Sequence, residues 1–368
     1  MRILVVNAGS SSLKLSLLGD DDQLAGAKEL TAHGGEFDAD EVARELDRLD
    51  AGTADAVGHR VVHGGSEFTG PVRLDAAVRG QLDQLTDLAP LHQPKSLAGI
   101  DAVSQALPKL PAVACFDTAF HATMPPAAST YALPEDWRRR WQIKRYGFHG
   151  LSHAYATRRV SELTGRTPPR LVVCHLGSGA SLAAVRDGRS VDTTMGFTPL
   201  EGLVMGTRSG TVDPGLVLWL TEHAQIAPAD LSARLEHDSG LKGLAGTGDM
   251  RQVLQDADQR SGPGDERARL ALEVYLHRLC GLAGSMAAAL NGLDTLVFTG
   301  GVGERAPDIR RWAAAGLSFL GVSVDAARNA GAAGDTDITD PGAAVRTFVI
   351  AAREDLEIAR QVREILGP

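Results

Sequence analysis

The chain has 368 residues, of which 43% are hydrophobic and 23% are charged, and its formal net charge is −9. This charge argues against a nucleic acid or an anionic membrane surface as a partner, and the length predicts two domains. Three widely spaced cysteines, the lack of a membrane-length apolar run and the interruption of the first apolar run at Asn7 predict a cytoplasmic protein with reduced thiols.

Strands and helices alternate along the chain, which predicts an α/β fold. Apolar runs predict strands at 56–62 and 111–117, and apolar periodicity predicts helices at 39–49, 74–88, 95–106 and 150–164. Residues 293–316 are predicted to form a strand, a glycine loop and a helix with Pro307 just inside its start. Residues 347–366 are predicted to form a strand and an amphipathic helix, and 20–26 and 259–266 are predicted loops.

The opening segment, residues 2–18, has a counterpart at residues 171–185. The first reads RILVVNAGSSSLKLSLL and the second LVVCHLGSGASLAAV, so each has an apolar triplet, a Gly/Ser loop and an exit strand. We interpret them as an internal repeat, although Gly/Ser hairpins also arise by coincidence. The repeat predicts two similar domains whose loops hold one polyphosphate across a cleft, because glycine backbone N–H groups are open to anions.

Two common phosphate motifs are missing from the sequence. A P-loop requires Gly-Lys, which does not occur in this chain, and the protein-kinase signatures are also missing. Residues 301–306 fit the dinucleotide pattern G-x-G-x-x-[GA], and Asp325 follows at the spacing of a ribose-binding acid. Too few residues follow Asp325 for the rest of a dinucleotide domain, so we expect ADP or ATP at this turn and not NAD.

Three charged residues have glycine-rich or apolar surroundings. Arg60 lies in GHRVVHGG and Arg208 in MGTRSG, and a permanently charged guanidinium in a cleft suits a carboxylate or a transferring phosphoryl group. The alternative for each arginine is a structural ion pair. Asp117 follows a predicted strand, where α/β folds place functional residues, although aspartate also caps helices.

The remaining histidines and acids each allow a structural interpretation. His149 and His153 in RYGFHGLSH lack the glutamate of the H-E-x-x-H zinc motif, so we interpret His149 as a donor to a substrate. His153 and His175 suit packed core positions. Glu354 begins the last helix, where acids are favoured electrostatically and where a Mg²⁺ ligand would also fit. The basic residues between 138 and 145 are predicted to form a solvated face.

Eight motifs in sequence order closely resemble the acetate kinase and propionate kinase family, over residues 3 to about 360. They are VNAGSSSLK, HRVVHGG, APLHQP, FDTAFHATMP, RYGFHGLSH, HLGSGAS, TPLEGLVMGTRSG and FTGGVGE. The resemblance implies the fold of the acetate and sugar kinase, heat-shock chaperone and actin superfamily, in which two ribonuclease-H-like domains flank a cleft. We expect an N-terminal domain of residues 1–118 with 355–368, and a C-terminal nucleotide-binding domain of residues 119–354.

The same resemblance implies an activity and an assembly. The reaction is the reversible, Mg²⁺-dependent transfer of the ATP γ-phosphoryl group to acetate or another short carboxylate, which gives an acyl phosphate and ADP. We favour direct in-line transfer without a phosphoenzyme. Members of the family are usually homodimers.

Roles follow from the resemblance for each matching residue. Asn7 and Glu354 would position Mg²⁺, with Mn²⁺ as a substitute, and the catalytic residues would be Arg60, Asp117, His149 and Arg208. The carboxylate substrate would contact Arg60, Val62, Leu91, His92, Phe148 and Pro199. The nucleotide and its phosphates would contact Ser10, Ser12, Lys14, His175, Leu176, Gly177, Ser178, Gly179, Asp249, Met250, Arg251, Gly300, Gly301, Val302 and Gly303.

Four residues depart from the family pattern: Gln93, Leu151, Ser178 and Arg353. These departures bear on the nucleotide contacts and on which acid is preferred, and not on the class of reaction. Three other functions are alternatives to an ATP-dependent acetate kinase. They are a kinase that prefers propionate or butyrate, a pyrophosphate-linked kinase, and a non-catalytic nucleotide-gated module. The intact loop from Gly301 to Gly303 favours a nucleoside. Asp117 together with two arginines favours catalysis.

Overall fold

The computed structural model of the chain describes residues 1–9, 12–31, 37–88, 93–258 and 264–367. In these ranges the strands are β1 (Ile3–Ala8), β2 (Ser12–Leu18), β3 (Leu24–Thr31), β4 (Ala56–Val61), β5 (Val72–Arg73), β6 (Ala112–Phe116), β7 (Arg170–Leu176), β8 (Ala180–Arg186), β9 (Arg189–Thr193), β10 (Thr295–Thr299), β11 (Thr336–Asp337) and β12 (Arg346–Val349).

The α-helices in the same ranges are α1 (Ala39–Arg48), α2 (Ala76–Gln84), α3 (Gln93–Ala106), α4 (Pro126–Ser129), α5 (Glu135–Arg140), α6 (Gly150–Thr164), α7 (Pro214–Glu222), α8 (Pro228–His237), α9 (Gly240–Ala245), α10 (Met250–Ala257), α11 (Glu266–Leu290), α12 (Gly300–Arg305), α13 (Pro307–Gly316), α14 (Ala326–Ala330) and α15 (Glu354–Leu366). None of these helices combines the length and the apolar character that crossing a membrane requires.

The chain divides into two compact units. The first comprises Met1–Ala122, Phe148–Tyr155 and Arg353–Pro368, and the second comprises Thr123–Gly147 and Ala156–Ala352. The division expected from the sequence, 1–118 with 355–368 and 119–354, stays a prediction about domain boundaries. The compact units also group Phe148–Tyr155 with the first part of the chain.

Each unit contains a six-stranded mixed sheet with the same topology. The first sheet has the order β3-β2-β1-β4-β6-β5, and the second, taken from the corresponding edge, has the order β9-β8-β7-β10-β12-β11. In each sheet the leading strand pairs antiparallel with the strand after it and parallel with the fourth strand of its unit. This shared order confirms the internal repeat and the α/β class.

The first sheet has a core on both faces because side chains alternate along β1. Leu4 and Val6 pack in a cluster with residues of α1 and α3. Ile3 and Val5 point to the other face, where they pack with Ile358 of α15. A Cβ at Gly58 of β4 would lie 2.4 Å from Ile358 Cγ2, so this glycine allows the close approach of α15.

The segment after β10 differs from its predicted form. The predicted glycine loop is the first turn of α12, which begins at Gly300 directly after the strand. Gly300 has φ 78°, and a Cβ there would lie 2.8 Å from the Leu176 carbonyl oxygen, so the backbones of β7 and β10 approach closely. Pro307 occupies the first turn of α13, as predicted.

Other element predictions are confirmed with small shifts. Helix α6 has the predicted bounds, whereas the helix predicted at 74–88 ends at Gln84 and continues as a 3₁₀ turn. The prediction of a loop over 20–26 is wrong for its last three residues, because β3 begins at Leu24 and pairs with β2. Most of the predicted loop 259–266 lies outside the described residues.

Candidate active site

Three polar side chains of the first unit meet at the carboxyl ends of neighbouring parallel strands. Asn7 lies near the end of β1, Arg60 near the end of β4, and Asp117 directly after β6. Arg60 donates to Asp117 through Nε at 3.1 Å and Nη2 at 2.6 Å, and through Nη1 to Asn7 Oδ1 at 3.0 Å. This sheet edge is where α/β folds bind ligands, as the sequence predicts for Asp117.

Glu354 at the start of α15 completes this cluster. Asn7 Nδ2 donates to Glu354 Oε2 at 3.0 Å, and Arg60 Nε lies 3.8 Å from the same carboxylate. The four residues come from four distant parts of the sequence. The structure therefore brings both predicted metal residues to two of the predicted catalytic residues.

The cluster contains one guanidinium between two carboxylates. Burial lowers the pKa of Arg60, but Asp117 and Glu354 outweigh it and hold that pKa above its usual value. Burial raises the pKa of Asp117, and Arg60 opposes this shift. The observed bonds use three of the five N–H groups of Arg60, so two remain for an anionic ligand.

The oxygen atoms of this cluster suit a hard cation. Mg²⁺ usually binds one or two protein carboxylates and completes its octahedral shell with water and phosphate oxygens. The Asn7 amide oxygen and the Glu354 carboxylate are ligands of this kind. Among the described residues no group of three His, Cys, Asp or Glu side chains is arranged to hold a metal alone. The donor set therefore fits an ion that is shared with phosphates.

Two predicted substrate contacts of the first unit are buried near His63. Val62 and Phe148 are almost fully buried, and the His63 ring lies edge-on to Phe148 with centroids 5.5 Å apart. Gln93, one of the departures, accepts from His63 N and donates to His63 O, each at 3.2 Å. Gln93 therefore fixes the backbone after β4. Leu91 and His92 lie outside the described residues.

His149 has an uncommon backbone conformation. Its φ of 57° lies in the left-handed region, which is unfavourable for a residue with a side chain. The next residue, Gly150, donates to the Asp117 carbonyl at 2.8 Å, and a Cβ on Gly150 would lie 2.2 Å from that oxygen. The backbone segments that carry His149 and Asp117 are thus in direct contact. His153 is buried, and its ring packs edge-on against His121.

In the second unit, three glycine turns come together. Gly177 and Gly179 form the β7–β8 turn, in which Gly177 N donates to Gly179 O at 2.9 Å. The Ser178 carbonyl accepts from Gly206 N at 2.9 Å, and Gly300 approaches Leu176 as described above. His175 lies beside this turn, with Nε2 3.5 Å from the position of a Gly177 Cβ. The backbones of these turns therefore approach one another closely.

Asp249 and Arg251, two further predicted nucleotide residues, lie at the start of α10. The Asp249 carboxylate accepts from Arg251 N at 2.9 Å and from Arg251 Nη2 at 2.7 Å. Met250 is buried. A Cβ on Gly248 would lie 3.0 Å from the Gly206 carbonyl oxygen, so this helix start adjoins the same group of turns.

A buried arginine that the sequence analysis did not single out supports α12. Arg310 is 1% exposed and donates through Nη1 to the carbonyls of Gly303 at 2.9 Å and Glu304 at 2.8 Å. Its Nε donates to Asn329 Oδ1 at 2.7 Å. Arg310 therefore fixes the helix that carries Gly301, Val302 and Gly303. Asp325, the apparent ribose-binding acid, caps α14.

Arg208 forms the ion pair that the sequence analysis considered as its structural alternative. Its Nε lies 2.9 Å from Glu236 Oε2, and Glu236 is 8% exposed. Its Nη1 contacts the Pro199 carbonyl at 3.4 Å. Arg208 and Pro199, two predicted substrate-side residues, are therefore neighbours.

The remaining predicted residues have structural partners or lie outside the described ranges. Ser12 donates to Glu29 at 2.7 Å, and Lys14 Nζ lies 3.8 Å from the same carboxylate, so their phosphate role stays a prediction. Ser10 is outside the described residues. The two other departures are accommodated: Leu151 is buried in the core beside α15, and Arg353 pairs with Asp355 at 3.0 Å.

Arg145 does not lie on a solvated face, contrary to the prediction for residues 138–145. Its side chain is 17% exposed and donates to Glu201 at 2.6 Å, whereas Arg139 is 81% exposed. The sequence shows no difference between these arginines, because burial is decided by packing with distant segments.

Comparisons with known proteins agree with the sequence resemblance. Residues 36–360 match the model of the Acetokinase family. An acetate kinase from Microcystis aeruginosa is 47% identical over 332 residues, which cover 87% of this chain and 82% of that protein. A propionate kinase structure from Francisella tularensis has a TM-score of 0.91 at 35% identity and covers 99% of this chain and 100% of its own.

An acetate kinase structure from Porphyromonas gingivalis has a TM-score of 0.90 at 35% identity, with 99% of each chain covered. The fold, the order of the motifs and the family match agree over nearly the whole length. The chain belongs to the acetokinase family.

Proposed function

We propose that the chain transfers the γ-phosphoryl group of ATP reversibly to acetate, giving acetyl phosphate and ADP, with different roles for its two units. Family membership makes it a phosphotransferase with a carboxyl group as acceptor. The observation that supports these roles best is the cluster of Asn7, Arg60, Asp117 and Glu354 at one sheet edge.

In this proposal Arg60 binds the acetate carboxylate with its two remaining N–H groups, and Asp117 holds the guanidinium in position. Acetate is already ionised near neutral pH, so the reaction requires no general base. A carboxylate oxygen attacks the γ-phosphorus in line, the bond from that phosphorus to the ADP oxygen breaks, and ADP leaves. Such a transfer depends on positioning and on charge stabilisation.

Asn7 and Glu354 would hold the divalent metal, Mg²⁺ by preference and Mn²⁺ as a substitute. The bound ion would neutralise charge on the phosphate oxygens. Without it, Asn7 is held by hydrogen bonds with Glu354 and Arg60, and Glu354 is also held by its ion pair with Arg60. His149 would donate a hydrogen bond to the transferring phosphoryl group.

We assign the nucleotide to the second unit. Gly301 is exposed and has open space beside its Cα, which suits phosphates because no side chain blocks the approach, and Gly177, Gly179 and Gly300 shape the adjoining turns. Asp249 and Met250 would frame the nucleoside. Arg208 would stabilise the charge that develops on the phosphoryl oxygens, after exchanging part of its contact with Glu236 for the ligand.

Two further properties are part of the proposal. A homodimer is supported by the apolar side chains of α7, where Leu216, Leu218 and Trp219 are 45%, 59% and 52% exposed. We expect light scattering to give a dimer and Trp219→Lys to weaken it. A cytoplasmic location is supported by the free thiols of Cys115, Cys174 and Cys280.

A propionate kinase is the second candidate, because the Francisella tularensis structure is as similar as the acetate kinase structure. One methylene changes binding by only about 1–3 kcal/mol, so the pocket near Val62 and Phe148 decides between the acids. The test traps acyl phosphate with hydroxylamine, using Mg²⁺-ATP or pyrophosphate with acetate, propionate or butyrate. We expect product with ATP and the highest kcat/KM with acetate. Product with pyrophosphate alone would overturn the nucleotide assignment.

A further inference from the structure

We propose that Glu201 is a positioning residue for the carboxylate substrate, because it joins Tyr131 and Arg145 and thereby fixes two segments that lead to substrate-side residues. The inference rests on the proposed function. Glu201 belongs to the second unit and does not have to touch the substrate in order to act.

Both carboxylate oxygens of Glu201 are used within the protein. Oε1 accepts from Arg145 Nη2 at 2.6 Å, and Oε2 accepts from the Tyr131 hydroxyl in a short hydrogen bond. The Arg145 guanidinium also lies over the Tyr131 ring, 5.4 Å from its centroid. Glu201 is therefore fully engaged as a connector, and its charge is balanced by that of Arg145.

Tyr131 and Arg145 pass this constraint to the chain just before Glu201. Arg145 Nη1 donates to the carbonyls of Thr194 at 3.1 Å and Met195 at 3.0 Å. The Tyr131 hydroxyl accepts from Phe197 N at 3.0 Å. Residues 194–197 are thus held from two sides by the partners of Glu201.

The first segment that is fixed in this way carries Pro199 and leads to Arg208. Pro199 lies two residues before Glu201, and its carbonyl is the oxygen that Arg208 contacts. Gly202 follows Glu201 and closes the loop around Arg208 through two hydrogen bonds with Thr211, each 3.0 Å long. A shift of Glu201 would therefore move the Pro199 carbonyl, which is one of the groups that Arg208 contacts.

The second segment leads to Phe148 and His149. Tyr146 N and Gly147 N both donate to the Gly196 carbonyl, at 3.1 and 3.3 Å. A Cβ on Gly196 would lie 1.8 Å from Glu201 Oε2, so the carboxylate occupies the space beside this glycine. Gly147 directly precedes Phe148 in the chain. One carboxylate thus supports both the segment that carries Pro199 and the backbone that leads to Phe148.

The electrostatics of Arg145 and Tyr131 agree with their roles as donors to Glu201. Burial lowers the pKa of Arg145, but its neighbours Tyr131 and Glu201 raise it above its usual value. Burial and the bond to Glu201 both raise the pKa of Tyr131, so the phenol stays protonated and keeps donating. Asp192 is a nearby carboxylate whose pKa is raised by burial.

The test compares Glu201→Gln and Tyr131→Phe with the unchanged protein by steady-state kinetics. Glutamine keeps the shape of the side chain at position 201, but its NH₂ group cannot accept a hydrogen bond. Either Tyr131 or Arg145 therefore loses its acceptor. We expect KM for acetate to rise about tenfold or more in Glu201→Gln, because small misplacements in a site cost factors of this size. KM for ATP should change less than KM for acetate, since Glu201 itself bonds to Tyr131 and Arg145, whereas the loop that it fixes meets the Ser178 turn through Gly206. Tyr131→Phe should give a smaller change in the same direction.

Glu135→Gln is the matched control, because Glu135 forms an exposed ion pair with Arg139 in the same unit. It should leave both KM values unchanged. A double variant of Tyr131 and Glu201 should cost less than the product of the two single effects, because the residues act as one unit. Thermal unfolding of every variant identifies a general loss of folding.

Three outcomes separate the inference from the function on which it rests. An active parent protein in which Glu201→Gln and Tyr131→Phe fold and keep the acetate KM would overturn the positioning role. Equal increases in the KM values for acetate and ATP would do the same, because they would indicate general damage. A parent protein that forms no acyl phosphate would instead refute the proposed function.

Discussion

Arg60 and Asp117 form a two-pronged ion pair between the ends of adjacent parallel strands, and Asp117 is 1% exposed. Asn7 and Glu354 contact the same guanidinium, Asn7 at Nη1 and Glu354 at Nε. The pair is both a part of the core of the first unit and its proposed substrate site, so changes to it should affect stability and activity together.

Asp117→Asn should destabilise the first unit and reduce activity. The change leaves the largely buried Arg60 without its main counter-charge, and breaking such a pair costs about 3 kcal/mol. Urea unfolding should show this loss, and turnover should fall at least about a hundredfold. The control is Asp101→Asn, which removes a two-pronged but exposed partner of Arg79 and should cost less than about 1 kcal/mol. An Asp117→Asn protein as stable and active as the parent would show that the pair matters little.

Arg208→Ala should reduce turnover sharply and leave ATP binding nearly unchanged. The proposed role of Arg208 lies in stabilising charge during transfer, and that contribution appears in kcat. Calorimetric titration with ATP and steady-state kinetics measure the two effects separately. Because Arg208→Ala leaves the Glu236 carboxylate without this ion-pair partner, the double variant Arg208→Ala with Glu236→Gln should be measured in the same way. If ATP affinity fell while turnover stayed constant, the assigned role would be wrong.

Arg310→Met should weaken both the second unit and the nucleotide site. Methionine approximates the arginine stem but leaves the carbonyls of Gly303 and Glu304 without their donor, at a cost of about 3 kcal/mol for the group. KM for ATP should rise, and KM for acetate should stay constant. Arg311→Met is the comparison, because this neighbouring arginine is 52% exposed and pairs with Asp308 at the surface. Equal effects of the two substitutions would contradict the supporting role of Arg310.

Stability should fall as the pH drops below about 6.5. Burial lowers the pKa of His59 to about 3 and that of His121 to about 4, so both stay neutral in the folded chain while the unfolded chain takes up protons. The stability is complete above the unfolded pKa and is lost as the pH falls toward the folded values. The loss amounts to about 2 kcal/mol for each histidine at pH 5. Urea unfolding at pH 7.5 and 5 measures it, and His59→Leu should reduce the difference. Equal stability of the parent at both pH values would exclude this effect.

Regular features of the fold could be predicted from the sequence because each leaves a local pattern. Apolar periodicity gives α6 its correct bounds, and the repeated strand–loop–strand motif indicates two sheets of one topology. The segment at Gly300 could not be predicted in this way, since a glycine-rich stretch is typical of loops. In the structure Gly300 has a left-handed φ and lies against the backbone of Leu176, a residue far away in the sequence.

In the candidate site too, the residues with a local sequence pattern are the ones that could be predicted. Arg60 stands out as a charged residue within an apolar strand, Asp117 follows a strand and Glu354 begins a helix, and the structure brings the three together. Arg145 and Arg310 were missed, because a basic residue in a polar segment or on a helix carries no local mark of burial. Only the partners Glu201 and Asn329, which are distant in the sequence, give these two arginines a function.

The measurement that tests the proposed function most directly is the rate of acyl phosphate formation from Mg²⁺-ATP and acetate, followed with hydroxylamine. Asp117→Asn and Arg208→Ala serve as the inactive references, and circular dichroism verifies folding. We predict a rate that saturates with acetate, depends on the divalent metal and is lost in both variants. Folded parent protein that forms no acyl phosphate from ATP with acetate, propionate or butyrate would contradict the proposed function.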